Sequence, residues 1–370
     1  MNELKCLPQD YVVWGTDILA KSIAKLHDYG MKRPITFTVE PLEALYRTHI
    51  EPNVENGAGL FSDLPPHVPD FAVQQALDSC FANDADSIIA LGGGSVLDAA
   101  KAVSHFHQRK TGRYLPIVAL PTTLSGSEFS HYFGITETNG PQKFKRSYAV
   151  RETVPRLVVM DPVLIQGTPR LLLLSSAIKS IDHAVEGMRK IDKDHPHAIM
   201  AASGVKRFFS VLMTWPDQHE TNVALERGLV TADDLIQLQL AAWQCYFYPA
   251  SVIYGLSHRI GHILGGTFGL PHSATSCITL APVVRACSDF YGDKLRVFTP
   301  GAIDPASALA NQISLLVQTL KLQSRLRDFG LERSKLSEVA SLLTSNYANE
   351  VSDLGIDPSE KLNTLLEGMW

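Results

Sequence analysis

The sequence predicts an α/β domain built on a parallel sheet over residues 1–162, followed by an all-helical domain over residues 163–370. Three observations predict it. Short apolar runs alternate with helix-periodic stretches up to about residue 162. A glycine triplet at 92–94 stands between one such run and a helix. Beyond residue 162 the apolar periodicity is helical and no strand pattern is convincing. A chain of 370 residues with 45% hydrophobic composition has enough apolar surface for two cores.

Taken in order, Tyr11–Trp14 (YVVW) reads as a short strand that stops at Gly15. Residues 17–29 place Ile18, Leu19, Ile23 and Leu26 at helical spacing and end at Gly30. Residues 34–39 (PITFTV) read as a strand, 70–83 as a helix, and 87–91 (SIIAL) as a buried strand. A helix follows from 95 to about 107, then another strand at 115–120 (LPIVAL). Strand–helix–strand units imply a parallel sheet with right-handed crossovers. The boundary is expected at 159–164 (VMDPVL), where an apolar strand runs into Asp-Pro. Helices are then expected at 170–190, 196–213, 232–247, 250–265, 274–288, 305–328 and 333–347, with the active site in the cleft between the domains.

Bulk properties exclude some functions. A net charge of -5 argues against a general nucleic-acid or anionic-membrane binder. The five cysteines are scattered, with no C-x-x-C spacing, which fits a reducing compartment. The N-terminal MNELKCLPQDYVVWG lacks the layout of a signal peptide, and no apolar run approaches the ~20 residues of a membrane span. The expectation is a cytoplasmic protein that acts on a small molecule.

Two loops carry the first chemistry. In LGGGSVLDAAK (91–101), glycines without Cβ atoms allow close backbone approach to a phosphate, and the following amides lie at the positive end of a helix. Ser95 is of a type that caps helices. A bare triplet would usually be only a tight turn, but Asp98 and Lys101 follow at a fixed offset. The second loop, PTTLSGSE (121–128), offers hydroxyls from Thr122, Thr123, Ser125 and Ser127. Loops after neighbouring parallel strands converge at the carboxyl edge of the sheet, where ligands bind in such folds. Glu40, after the strand ITFTV, could accept from a ribose hydroxyl and repel a 2′-phosphate; Thr38 is equally placed. The cofactor expected is NAD or NADP, with NAD slightly favoured.

The histidines carry the rest. His258 and His262 lie at i and i+4 on one helix face, His272 follows in a turn, and His183 sits on another helix. Two helical histidines four apart plus one from a separate turn is ordinary metal-ligand spacing. A single histidine more often satisfies a core hydrogen bond; four at these spacings point to a site.

GGGSVLDAAK, PTT-x-x-GSE, HAVEG at 183–187 and HRIGHILGG with LPH at 258–272 together resemble the iron-containing alcohol dehydrogenase superfamily, over roughly residues 8–350. HVP at 67–69, the shortened PTT-x-x-GSE, TETNGPQK at 136–143 and GLSHRIGHILGGTFGLPH make maleylacetate reductase the branch most similar. The resemblance implies the dehydroquinate synthase-like fold and a homodimer. It implies that Gly93, Gly94, Ser95 and Asp98 hold the cofactor's diphosphate region, and that Thr122, Thr123, Ser127 and Lys143 contact the nucleotide.

In the metal-using members an aspartate and three histidines hold the metal. The corresponding positions here are Lys179, His183, His258 and His272, and His262 matches a catalytic histidine that is not a ligand. A charged lysine has no lone pair and repels a divalent cation. The expectation is a metal-independent NAD(P)H-dependent reductase of a carbonyl or conjugated oxo-acid. His258 or His262 would deliver a proton, and Lys179 or Arg259 would hold the anionic group. Lys179 has two open readings: it stabilises developing negative charge, or it is a structural partner of Asp182 or Glu186. Asp182 itself stands where the family has a small residue; Ser257 replaces a histidine; Ala281-Pro282 stand in place of Pro-His. These departures keep a rival in view, a repurposed member whose histidines catalyse a non-redox cyclisation, dehydration or isomerisation. Tyr246, Tyr248 and Tyr254, with Trp243 and Phe247, read either as pocket lining or as helix packing.

Overall fold

The sheet of the N-terminal half follows from runs that are apolar on both faces, the signature of strands covered by helices. The computed structural model describes residues 6–138, 144–247 and 254–370. Its strands are β1 (Tyr11–Trp14), β2 (Pro34–Phe37), β3 (Gly59–Phe61), β4 (Ser87–Gly92), β5 (Ile117–Pro121), β6 (Tyr132–Glu137), β7 (Phe144–Ala149) and β8 (Leu157–Met160). Six form a parallel sheet in the order β1-β8-β5-β4-β2-β3, and β6 and β7 pair as an antiparallel hairpin. Every residue of β4, β5 and β8 is buried. The register sets Gly92 opposite Pro121, so the two polar loops leave adjacent strands side by side.

The described residues divide into two compact units. The first comprises Met1–Thr168 and Thr231–Gln239 and contains the sheet. The second comprises Pro169–Val230 and Leu240–Trp370 and is helical. Its helix Arg170–Gly187 buries 16 of 18 residues, so it has no solvent face; its polar side chains must find partners inside. Pro196–Leu212, Leu256–Gly266 and His272–Ala286 pack on it, and Pro305–Thr319, Leu336–Asn346 and Pro358–Met369 pack on the latter two. Among the described residues no helix is long and apolar enough to cross a membrane.

The structure differs from the sequence reading in particular places. The stretch at 17–29 is a helix only over Leu19–Ala24, then a 3-10 turn that Gly30 closes at φ 79°. The strand expected at 34–39 ends at Phe37, because Thr38 turns its hydroxyl onto the Leu91 carbonyl. The helix expected at 305–328 stops at Thr319, and Lys321 takes a left-handed φ of 55° that breaks the periodicity. The hairpin β6–β7 and the helix Pro358–Met369 were not expected.

Two buried imidazoles make the fold acid-sensitive. Burial pulls His131 in the first unit and His197 in the second from 6.5 down to about 4. Between those values the unfolded chain takes up protons that the folded chain does not, so stability should fall as pH drops from 6.5 to 4. The expected loss is on the order of 3 kcal/mol per ring. Among the described residues, neither ring nitrogen of His197 has a hydrogen-bond partner. Urea titrations at pH 7 and 4.5 should show the loss, and His197→Leu should shrink it.

Candidate active site

The glycine loop is tight for two different reasons. A Cβ on Gly92 would lie 2.5 Å from Val96 Cγ2, and one on Gly93 would lie 2.8 Å from Thr123 Cγ2. Packing within the fold therefore demands those two glycines. A Cβ on Gly94 would meet nothing closer than Ser125 Oγ at 3.5 Å, so the fold does not require that third glycine. Gly94 opens the 18-residue helix Gly94–Thr111, whose N-cap is Gly93 with no side-chain cap. Ser95 thus does not cap; it sits exposed in the first turn. The N-cap glycine offers no side-chain acceptor to this helix, whose N-terminal amides are of the kind that receive anions.

Asp98 and Lys101 brace the second loop. Asp98 accepts from Ser127 Oγ at 3.1 Å and from the Gly134 amide at 3.1 Å. The buried Lys101 ammonium donates to the Ser127 carbonyl at 2.6 Å, to its hydroxyl at 3.1 Å and to the Tyr132 carbonyl at 3.0 Å. Burial draws Lys101 down to about 8 and pushes the Glu128 carboxyl up to about 7. Thr122 is joined to the glycine loop through its amide, which donates to the Gly92 carbonyl at 3.1 Å. The Thr123 and Ser125 hydroxyls are 3.2 Å apart. Thr38 is buried and donates to the Leu91 carbonyl at 2.9 Å, whereas Glu40 is exposed. Lys143 lies outside the described residues.

The second unit gathers the four histidines. Their rings lie 4.7 Å apart for His258–His262, 5.5 Å for His258–His272, 5.6 Å for His262–His272 and 5.3 Å for His183–His258. His258 and His183 are buried, and His262 and His272 are half-buried. Tyr254 stacks on His258 at 3.8 Å, Tyr246 lies 4.4 Å from His183, and their hydroxyls are 2.7 Å apart. The two tyrosines therefore pack on the histidines; Tyr248 lies outside the described residues.

Lys179 points into this cluster. Its ammonium is 2.8 Å from His258 Nδ1 and 3.6 Å from Asp182. Asp182 in turn accepts from the hydroxyls of Ser257 (3.1 Å) and Ser276. Burial raises the Asp182 carboxyl, against the pull of Lys179 and the two serines. Glu186 accepts from the amides of Gly255, Ser257 and His258 at 2.9, 2.7 and 3.2 Å, and so caps the helix Leu256–Gly266. Arg259 is held by Glu350 at 2.9 Å and lies 4.6 Å over the Tyr347 ring. Ala281 and Pro282 line an open groove of about 710 Å³ whose lining includes none of the four histidines.

One ring nitrogen from each of His258, His262 and His272 lies within 4.8 Å of the others, a spacing that could hold a cation. Three imidazoles are a donor set that divalent metals accept; the Lys179 ammonium, 2.8 Å from His258 Nδ1, adds a positive charge that opposes one. Asp182, Glu186 and His258 also bring ligand-type atoms together, but main-chain amides take the oxygens of Glu186.

Sequence reasoning passed over Ser276 and the capping role of Glu186. Ser276 lies 94 residues from Asp182, and no local pattern signals such a pair.

Comparison with known proteins gives a consistent picture. Residues 8–162 match the model described as iron-containing alcohol dehydrogenase, and residues 174–352 match that of the Fe-containing alcohol dehydrogenase family, C-terminal. The chain is 31% identical over 355 residues to a maleylacetate reductase of Pseudomonas aeruginosa, covering 94% of this chain and 93% of that one. A crystal structure of maleylacetate reductase from Agrobacterium tumefaciens superposes with a TM-score of 0.80 at 21% identity, covering 100% of this chain and 99% of that one. Sulfoacetaldehyde reductase from Bifidobacterium kashiwanohense, solved in complex with NAD+, superposes at 0.84 with 19% identity, covering 100% and 99%. The last two likenesses are of fold.

Proposed function

The chain belongs to the iron-containing alcohol dehydrogenase family, and from that premise we propose that it is a nicotinamide-dependent reductase of the maleylacetate reductase type that works without a resident metal. Its substrate class would be a small carbonyl compound or conjugated oxo-acid. The relationship to maleylacetate reductases supports the reaction class. Bound NAD(P)H would supply the hydride. Gly93, Gly94 and Ser95 would receive the diphosphate at the helix N-terminus, with Thr122 and Thr123 alongside and Asp98 and Lys101 bracing Ser127. His262 and His272, half-buried in the cluster, would deliver a proton to the substrate oxygen.

Gly94 is the observation that carries the nucleotide half of this reading. The fold does not require a glycine there, so a ligand that approaches the backbone is the reason left for it. Lys179 carries the metal-free half, since its ammonium lies against His258. Titrating the purified protein with NADH and NADPH tests the reading, followed by absorbance during turnover with maleylacetate. Saturable binding and substrate-dependent oxidation of the reduced cofactor are expected. Failure to bind either nucleotide would favour the non-redox alternative.

Cofactor choice gives a separate prediction. Thr38 has committed its hydroxyl to Leu91, which leaves Glu40 as the group free to meet a ribose. We expect tighter binding of NADH than of NADPH. Glu40→Ala should narrow the ratio of the two dissociation constants by about tenfold, the loss of about 1.4 kcal/mol of discrimination. An unchanged ratio in Glu40→Ala would remove this residue from the cofactor site.

A further inference from the structure

Three positions at which this chain departs from its family's pattern are joined by an ion pair and a hydrogen bond. Lys179 lies 3.6 Å from Asp182, and Asp182 accepts from Ser257 Oγ at 3.1 Å and from Ser276 Oγ. The series is sealed from solvent: the side chains of Lys179 and Asp182 are 3% and 0% exposed. Its other end is His258, whose Nδ1 is 2.8 Å from the lysine ammonium.

We propose that Lys179 is a positioning residue for His258: held by Asp182, its ammonium donates to Nδ1 and fixes the imidazole as the tautomer whose proton is on Nε2. A protonated lysine can only donate. A neutral imidazole that accepts at Nδ1 must carry its hydrogen on the other nitrogen. With an ammonium 2.8 Å from Nδ1, that nitrogen must accept, so the ring is neutral. Tyr254, stacked at 3.8 Å, fixes the ring plane. A permanent N–H donor is therefore presented among His262 and His272. A neutral imidazole locked as donor can polarise a carbonyl, and here that hydrogen bond stands in for the Lewis acidity a metal would supply.

Ser257 and Ser276 serve the same end. Their hydroxyls donate to Asp182 and hold its carboxyl group beside the Lys179 ammonium. The action on a carbonyl rests on the reductase reading above; the tautomer does not.

Long-range ¹H–¹⁵N correlation spectra of protein labelled with ¹⁵N-histidine test the proposal, with the His258 signals assigned through His258→Gln. The wild-type protein should show His258 unprotonated at Nδ1 and protonated at Nε2. Lys179→Met should lose that bias, and substrate kcat should fall on the order of 10²–10³-fold with KM little changed. Lys179→Arg, which restores a donor, should recover the tautomer and part of the turnover. Protonation of His258 at Nδ1 in the wild-type protein, or an unaltered His258 spectrum in Lys179→Met, would overturn the proposal. The wild-type spectrum decides even if both variants fail to fold. The Nε2–H tautomer in a protein that neither binds nor oxidises NAD(P)H would sink the reductase reading and leave the positioning role standing.

Discussion

Lys179→Met should lower turnover on the order of 10²–10³-fold while leaving the NADH dissociation constant within about twofold of wild type. Methionine keeps much of the apolar length of lysine and removes the charge. The loss of turnover follows from the ammonium's place 2.8 Å from His258 Nδ1, inside the cluster that also holds His262 and His272. Nucleotide affinity should persist because Gly93, Gly94 and Ser95, the residues proposed to receive the diphosphate, are untouched by the substitution. A purely structural lysine predicts something else. Deleting one member of a buried ion pair can cost about 3–5 kcal/mol. Here Asp182 is already raised by burial and can take up a proton when its partner is gone, which softens the penalty. The variant should therefore be folded, with a lowered Tm and a much lower kcat. Steady-state kinetics and thermal melts on the same preparation separate the readings. Near-normal turnover with a lowered Tm would remove Lys179 from the site.

Gly94→Val should weaken NADH binding at least about 100-fold, the loss of about 2.7 kcal/mol, with the fold intact. The nearest atoms to a Cβ at 94 are Ser125 Oγ at 3.5 Å and Ser127 Cβ at 4.0 Å, so the chain itself accommodates a side chain. Valine would instead fill the space over the first-turn amides of Gly94–Thr111, where a diphosphate would sit. Gly92→Ala is the contrasting case. Its Cβ would lie 2.5 Å from Val96, so it should damage stability before it touches binding. Isothermal titration and circular dichroism on both variants check the pair. Unchanged affinity in a folded Gly94→Val protein would show that the loop is only a turn.

What could be read from the chain alone follows from how local each signal was. The strand at Ser87–Gly92, the glycine triplet and the helix Gly94–Thr111 were legible because an apolar run, a turn and a 3.6-residue period occur within thirty residues. The histidine cluster was legible from the i, i+4 spacing of His258 and His262 and the HAVEG and LPH motifs. The pair Lys179–Asp182 was visible at i, i+3. Lys179–His258 was not, because 79 residues separate them and tertiary packing alone brings them together. The hairpin β6–β7 escaped because its strands mix Gly134, Thr136, Arg146 and Ser147 with the apolar positions; its pairing is marked instead by Phe133 stacked on Tyr148 at 5.1 Å. The early end of Pro305–Thr319 escaped because Lys321 adopts its left-handed turn without a glycine to announce it.

Nicotinamide-dependent reduction without a metal is the proposal for this family member. One measurement addresses it most directly: oxidation of NADH in the presence of maleylacetate by protein dialysed against a chelator, with iron and zinc counted by elemental analysis in the same sample. Full turnover is expected at well under 0.1 equivalent of metal per chain, about a tenth of what a single stoichiometric site requires, with no gain when Fe²⁺ or Zn²⁺ is added back. Activity that disappears on chelation and returns in proportion to about one equivalent of restored metal would contradict it.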